Sequence, residues 1–239
     1  MKKSTDYQKL IVCIAALLFA IQPVFSQMPE ITWEKSFEIR TSHYFSDVLE
    51  MPGGNFILLG AIEKPGDRSY NIWLQECNSQ GDTLKSKVID FPGNDIPMRI
   101  IANGENELLI VLMNSSENTG LMARLVALDS AFTELWSTVT KQQSALLRTD
   151  VTVDQSGQIW WLNTFAGEGE KPVVSLWKLD RQGTKIADFK IVADNEAKGY
   201  AIRILQDGTL GISCQVQPAN GKATVQVLRI DTNGKELWR

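Results

Sequence analysis

The chain has 239 residues, 44% hydrophobic and 22% charged, with a net charge of −4. That length can bury a sizeable core, and the composition is wrong for a disordered or low-complexity segment. No cluster of lysine and arginine occurs anywhere, which argues against nucleic acid and anionic membrane surfaces as partners.

At the N-terminus, Lys2, Lys3 and Lys9 form a positive region and Leu10 to Ile21 an almost unbroken apolar run. Val24-Phe25-Ser26 then fits a cleavage site before Gln27. This order predicts a secretory signal peptide over residues 1–26, cleaved after Ser26, and hence a secreted, periplasmic or cell-surface protein. The apolar run is too short, and wrongly flanked, for an ordinary membrane-spanning helix, so no membrane insertion is expected after cleavage. Cys13 precedes the apolar core and is badly placed for lipidation. Removing residues 1–26 takes away three lysines and one aspartate and leaves 21 basic against 27 acidic residues. Cys77 and Cys214 survive processing, and an oxidising compartment would permit a disulfide.

Residues 27–239 read as one domain of four repeats, with units near 31–83, 84–134, 135–185 and 186–239. Asn78, Asp129, Asp180 and Asp231 each follow the previous one by 51 residues. Asn106, Gly157 and Gly208 keep the same step before Leu108, Ile159 and Leu210, and Gly54 is their counterpart before Phe56, out of phase by a single residue. Trp33, Trp136 and Trp238 fall about two periods apart.

Each unit holds four short runs of strand character. In the last unit these are Tyr200–Leu205, Thr209–Val216, Thr224–Ile230 and a run beginning at Glu236. Residues 224–230 alternate apolar and polar positions, the mark of a strand with two different faces. Helical spacing is not sustained anywhere after residue 26. The expected fold is therefore all-β, a β-propeller of four four-stranded blades.

The turn residues agree. Asp231 with Gly234, and Asp180 with Gly183, suit a turn in which the carboxylate holds backbone N–H groups and glycine takes positive φ. Asn78 with Gly81 follows the same plan. At Asp129 the glycine position is Phe132, so a distorted turn is expected there. The alternating carboxylates of a calcium loop are absent.

The segment Arg229-Ile-Asp-Thr-Asn-Gly-Lys-Glu-Leu-Trp238 resembles the strand–turn–strand signature of bacterial PQQ-like and related secreted propeller repeats. The resemblance implies that Trp33, Trp136 and Trp238 begin outer strands and dock between blades; Lys85 and Ala187 stand at the corresponding positions of the other repeats. None of that family's cofactor-binding residues has a counterpart here, and no cofactor is expected.

Antiparallel strands put alternate connections on opposite faces of the disc. The short turns share one face. The other receives longer loops, Glu63–Ser69, Asn114–Gly120, Ala166–Lys171 and Gln217–Lys222, with 41–44, 93–96, 142–145 and 193–198. Variable loops on a rigid scaffold are where binding residues concentrate, so this long-loop face is the expected site. Three arrangements would close or extend the ring. The N-terminal strand Ile31–Ile39 completes the last blade, two chains associate, or the repeats belong to a longer array.

Chemistry-bearing residues are sparse. His43 is the only histidine, has no adjacent nucleophile, and reads as a solvated loop residue. Cys77 aligns with Leu128, Leu179 and Ile230 and reads as a small core residue. Trp73, Trp160, Trp161 and Trp177 could offer flat surfaces to sugars, yet their strand positions favour packing between blades. Asp47 and Asp150 lie 103 apart at comparable strand starts and are the candidates for an acidic site in the central channel. The expected function is a non-catalytic binding or scaffolding module for a protein or glycan, without catalytic or metal-ligating residues. The alternative is a metal-dependent propeller hydrolase or lactonase.

Overall fold

The computed structural model describes residues 34–37, 41–66, 68–116, 120–140, 145–166, 171–191, 196–218 and 221–238. Two units separate, residues 1–35 and residues 36–239. Of the first, only Glu34 and Lys35 are described, both exposed, so the signal-peptide segment and Trp33 lie outside the described residues.

The second unit contains four antiparallel sheets, each built from four consecutive strands in meander order. Blade 1 comprises β1 (His43–Glu50), β2 (Phe56–Glu63), β3 (Tyr70–Cys77) and β4 (Thr83–Ile89). Blade 2 comprises β5 (Asn94–Ala102), β6 (Glu107–Ser116), β7 (Gly120–Asp129) and β8 (Glu134–Val139). Blade 3 runs through β9 (Ala145–Val153), β10 (Ile159–Ala166), β11 (Val173–Leu179) and β12 (Lys185–Ile191). Blade 4 runs through β13 (Glu196–Ile204), β14 (Leu210–Gln217), β15 (Thr224–Ile230) and β16 (Glu236–Trp238). This is the β-propeller architecture expected from the repeat.

Three hydrophobic cores weld the blades face to face. Ile57, Leu59, Ile72 and Leu74 of blade 1 meet Ile100, Leu108, Ile110 and Val126 of blade 2. The opposite face of blade 2, with Leu109, Val111, Leu125 and Ala127, meets Val151, Ile159 and Trp161 of blade 3. Trp160, Leu162, Val174 and Leu176 on the far face of blade 3 meet Ile202, Leu210, Ile212 and Leu228 of blade 4. Trp160 and Trp161 therefore enter different cores, as the alternation of side chains along a strand requires.

These packings explain the sequence pattern. Strands of the middle blades are covered on both faces, so β6 and β10 read as continuous apolar runs, with Leu108 to Leu112 and Ile159 to Leu162 all buried. In blade 4 only one face is covered. Leu210, Ile212, Cys214 and Val216 are buried, whereas the intervening Gly211, Ser213 and Gln215 are not, and Val225 is 82% exposed. In β15 the covered face carries Leu228 and Ile230, whereas Val225 and Val227 lie on the exposed face, so the apolar alternation over 224–230 does not follow burial.

Inner strands pack β1 on β5, β5 on β9 and β9 on β13. Among the described residues β13 forms no comparable junction with β1. The fourth strand of blade 4 is β16, whose Trp238 pairs with Arg229. β16 thus begins that outer position, pairing with Arg229 and Ile230 of β15; of the other closing strand, Ile31–Ile39, only residues 34–37 are described, without regular structure. On the other side of blade 1, Phe37 meets Phe45 edge-on at 5.8 Å, and Phe45 stacks on Trp73 at 4.6 Å.

Candidate binding cleft

The turn residues fix the connections between the outer strands. Asn78 Oδ1 accepts the N–H groups of Gln80 and Asp82, both at 2.9 Å. The carboxylates of Asp129, Asp180 and Asp231 each accept the N–H groups two and four residues on, at 2.7–3.0 Å. Gly81, Gly183 and Gly234 have φ of 80°, 77° and 82°. This is a type I turn closed by a left-handed residue, a frequent hairpin connection.

Phe132 corrects the expectation of a distorted turn. It adopts φ of 60° and closes the same turn, with Phe132 N–H donating to Asp129 O at 2.9 Å. The conformational cost of about 1–2 kcal/mol is offset by burial of the ring, which is 1% exposed in the core between blades 1 and 2.

The reason glycine suffices elsewhere lies in the neighbouring blade. A Cβ on Gly183 would fall 2.3 Å from the Trp136 ring, and one on Gly234 would fall 2.2 Å from Phe189. The outer strands of blades 2 and 3 thus lay an aromatic ring on the turn glycine of the next blade. In blade 3 the ring belongs to Phe189, two residues after Ala187. Between blades 1 and 2 the roles are exchanged: the turn supplies the ring, Phe132, and the outer strand supplies Lys85, whose ammonium lies 3.8 Å from the ring centroid. Lys85 also donates to Ser130 O and pairs with Glu76 at 2.9 Å. Trp238, the last ring of the series, is 49% exposed.

Asp47 and Asp150 act as staples. Asp47 Oδ2 accepts the N–H of Ile100 in the next blade at 2.9 Å. Asp150 Oδ2 accepts the N–H of Ile202, also at 2.9 Å, and Arg203 Nη1 at 2.8 Å, while Oδ1 lies 3.3 Å from Arg99 Nε. Both carboxylates are therefore engaged in joining inner strands. Among the described residues, no group of three or more His, Cys, Asp or Glu side chains is placed to hold a metal ion.

His43 opens β1 instead of lying in a loop. Its Nδ1 is 2.8 Å from Thr41 O and its ring meets Trp73 edge-on at 5.9 Å. Cys77 is buried in blade 1 and Cys214 in the core between blades 3 and 4, with no disulfide joining them.

Most of the long loops include residues outside the described ones, so that face is described only at its rim. There the buried Asp95 receives Asn114 Nδ2 at 2.6 Å and Phe91 N–H at 3.2 Å. Burial pushes its carboxyl up to about 6, against those hydrogen bonds and the nearby Lys64 ammonium, which pull it down. Lys64 itself holds Gly93 O at 2.7 Å and Asp90 at 2.6 Å.

The feature best suited to hold a small molecule opens at the outer rim between blades 2 and 3. This cleft has a volume of about 520 Å³, within the range of small-molecule sites. One wall is the end of blade 2, Thr138, Val139 and Thr140; the other is Phe165, Trp177, Lys185 and Asp188 of blade 3. Its origin is a deficit of volume. Thr140 stands where the outer strands of blades 1 and 3 place Ile89 and Ile191. Those larger residues pack on the cores at the other two junctions. Trp177 meets Trp161 edge-on at 5.3 Å, and Lys185 Nζ lies 4.1 Å from the Trp177 ring centroid and 3.1 Å from Asp188 Oδ2.

Solved structures place the architecture among known folds. The propeller domain of the Trilobed protease from Pyrococcus furiosus matches with a TM-score of 0.52 at 12% identity, over 84% of this chain and 57% of that one. The fold is that of a β-propeller. The acylaminoacyl peptidase of Pyrococcus horikoshii gives a TM-score of 0.52 at 11% identity, covering 83% of this chain and 33% of that one. An endo-arabinase from Bacteroides thetaiotaomicron gives 0.50 at 15% identity, over 86% and 85% of the two chains. The chain thus spans little more than half, or less, of the first two proteins. No family model and no curated protein matches the sequence.

Proposed function

We propose that this chain is an exported, non-catalytic propeller module that recognises a glycan or protein ligand. The observation that carries this reading is the state of the inner-strand charges. Asp47 and Asp150 are tied to Ile100 N–H and Ile202 N–H, and Asp150 is also paired with Arg99 and Arg203. Their oxygens already accept from backbone and guanidinium groups of neighbouring blades, which favours a structural role for both acids. Recognition needs only a rigid scaffold and exposed groups, and three welded junctions supply the first.

The fold and the segment ending at Trp238 fit the secreted PQQ-like repeat proteins, though without their cofactor residues. The purified mature protein is expected to carry no stoichiometric metal, to hydrolyse no lactone or ester, and to retain a component of the cell envelope in a pull-down. Stoichiometric metal together with hydrolysis abolished by a chelator would replace this reading with that of a metal-dependent propeller hydrolase.

A further inference from the structure

We infer that the cleft between blades 2 and 3 binds a neutral saccharide, with the ring seated on Trp177. The inference rests on the recognition reading above and names its ligand class and place.

The cleft opens where Thr140 leaves the space that Ile191 fills at the next junction, while the place of Phe189 is taken here by Trp136, whose ring lies on Gly183. Its charges cancel: Lys185 and Asp188 are 3.1 Å apart, so an anion meets the carboxylate and a cation meets the ammonium. A neutral ligand has neither problem. A wholly apolar ligand is disfavoured too, because it would bury polar groups without partners.

The hydrogen-bonding capacity of the walls is mixed. Thr138 Oγ1 donates to Gly183 O at 2.6 Å and can still accept; Thr140 Oγ1 accepts from Ala123 N–H at 2.9 Å and can still donate. The indole N–H of Trp177 is closed to solvent and without a hydrogen-bond partner among the described residues, so it offers a donor only if the ring shifts. Asp188 accepts from Ser175 Oγ at 2.6 Å and, as a carboxylate, has capacity for further donors. Donors and acceptors interspersed beside the rings of Trp177 and Phe165 match the hydroxyl groups and apolar C–H face of a pyranose or furanose.

Lys185 explains how the site rests without ligand. Its side chain is 41% exposed and its ammonium covers the Trp177 ring. A cation over an exposed ring contributes modestly, so the lysine can swing into solvent and yield the indole face to a sugar.

The test is calorimetric titration of the mature protein with soluble neutral oligosaccharides: gluco-, manno-, xylo-, arabino- and N-acetylglucosamine oligomers. At least one is expected to bind. Trp177→Ala should weaken that binding about tenfold or more. Val139→Trp, at a rim position 42% exposed, should block the cleft equally without disturbing a core, and carries the test if Trp177→Ala does not fold. Lys185→Ala should leave affinity unchanged or raise it about two- to fivefold. Tyr44→Ala, at the other side of the array, should bind as the parent does. Binding unaffected by both Trp177→Ala and Val139→Trp would remove the cleft from the proposal and leave the recognition reading intact. Weakening by Lys185→Ala would overturn the stacking geometry. Failure of every oligosaccharide would overturn the ligand class; the recognition reading would then stand or fall on the envelope pull-down.

Discussion

Asp95 ties the stability of the array to pH with a sign opposite to that of most carboxylates. Its folded-state value of about 6, against an ordinary 3.8, means that the folded protein holds this proton more tightly than the unfolded chain. Two units at 1.36 kcal/mol each make about 3 kcal/mol. That contribution is fully present below pH 3.8, declines as pH rises towards 6, and is gone above it. Other carboxylates shift the opposite way. Asp129 is held low by backbone N–H groups, and at Asp154 burial pushes up but hydrogen bonds from Ser156, Trp160 and Gln158 outweigh it. The total pH profile therefore mixes both signs. The Asp95→Asn variant isolates the effect. Asparagine never ionises, so the stability of the variant relative to the parent should rise by about 2 kcal/mol between pH 4 and pH 7. Urea denaturation at half-unit intervals of pH, with equal m-values, measures this difference. Parallel curves for the two proteins would refute the assignment of a raised carboxyl between blades 1 and 2.

Other substitutions test the junctions. Gly183→Ala meets both a φ of 77° and the Trp136 ring, whereas Gly208→Ala meets a φ of 80° and open space. The first should cost about 2–4 kcal/mol and the second about 1–2, read as midpoint shifts in urea. Phe132→Gly restores the common turn residue yet should destabilise by about 3 kcal/mol, because the buried ring is worth more than the relieved strain. Asp150→Ala strands the Ile202 N–H and two guanidinium groups and should cost about 3 kcal/mol or more; thermal melts of the variant check it.

Much of the fold was legible because its signals are local. An Asx side chain reaches N–H groups two and four residues away, so the turns appear in the sequence as a fixed step of 51. The junctions were less visible. Exchange of ring and partner between Phe132 and Lys85 can be read only when residues 47 apart are known to touch, and displacement of the docking ring from Ala187 to Phe189 breaks the register. Asp47 and Asp150 were found by their spacing, but their role depends on backbone groups in the following blade, about 50 residues away. The cleft was the least legible feature, since it arises from a residue too small to fill a space that only the folded repeat defines. Comparison of Thr140 with its counterpart 51 residues on was the one available clue.

The open face of blade 4 bears on how the whole array comes apart. Blades 2 and 3 are each sandwiched, while blade 4 is held by its contact with blade 3 and on its far side shows Val225 and Val227 to solvent. In a linear series of this kind, stability is a sum of unit and nearest-neighbour terms, and loss of order propagates inward from the least-coupled unit. Among the described blades, blade 4 is thus coupled more weakly than blades 2 and 3. Its amides should exchange with solvent before those of β6 and β10, and local opening there leaves the rim between blades 2 and 3 undisturbed.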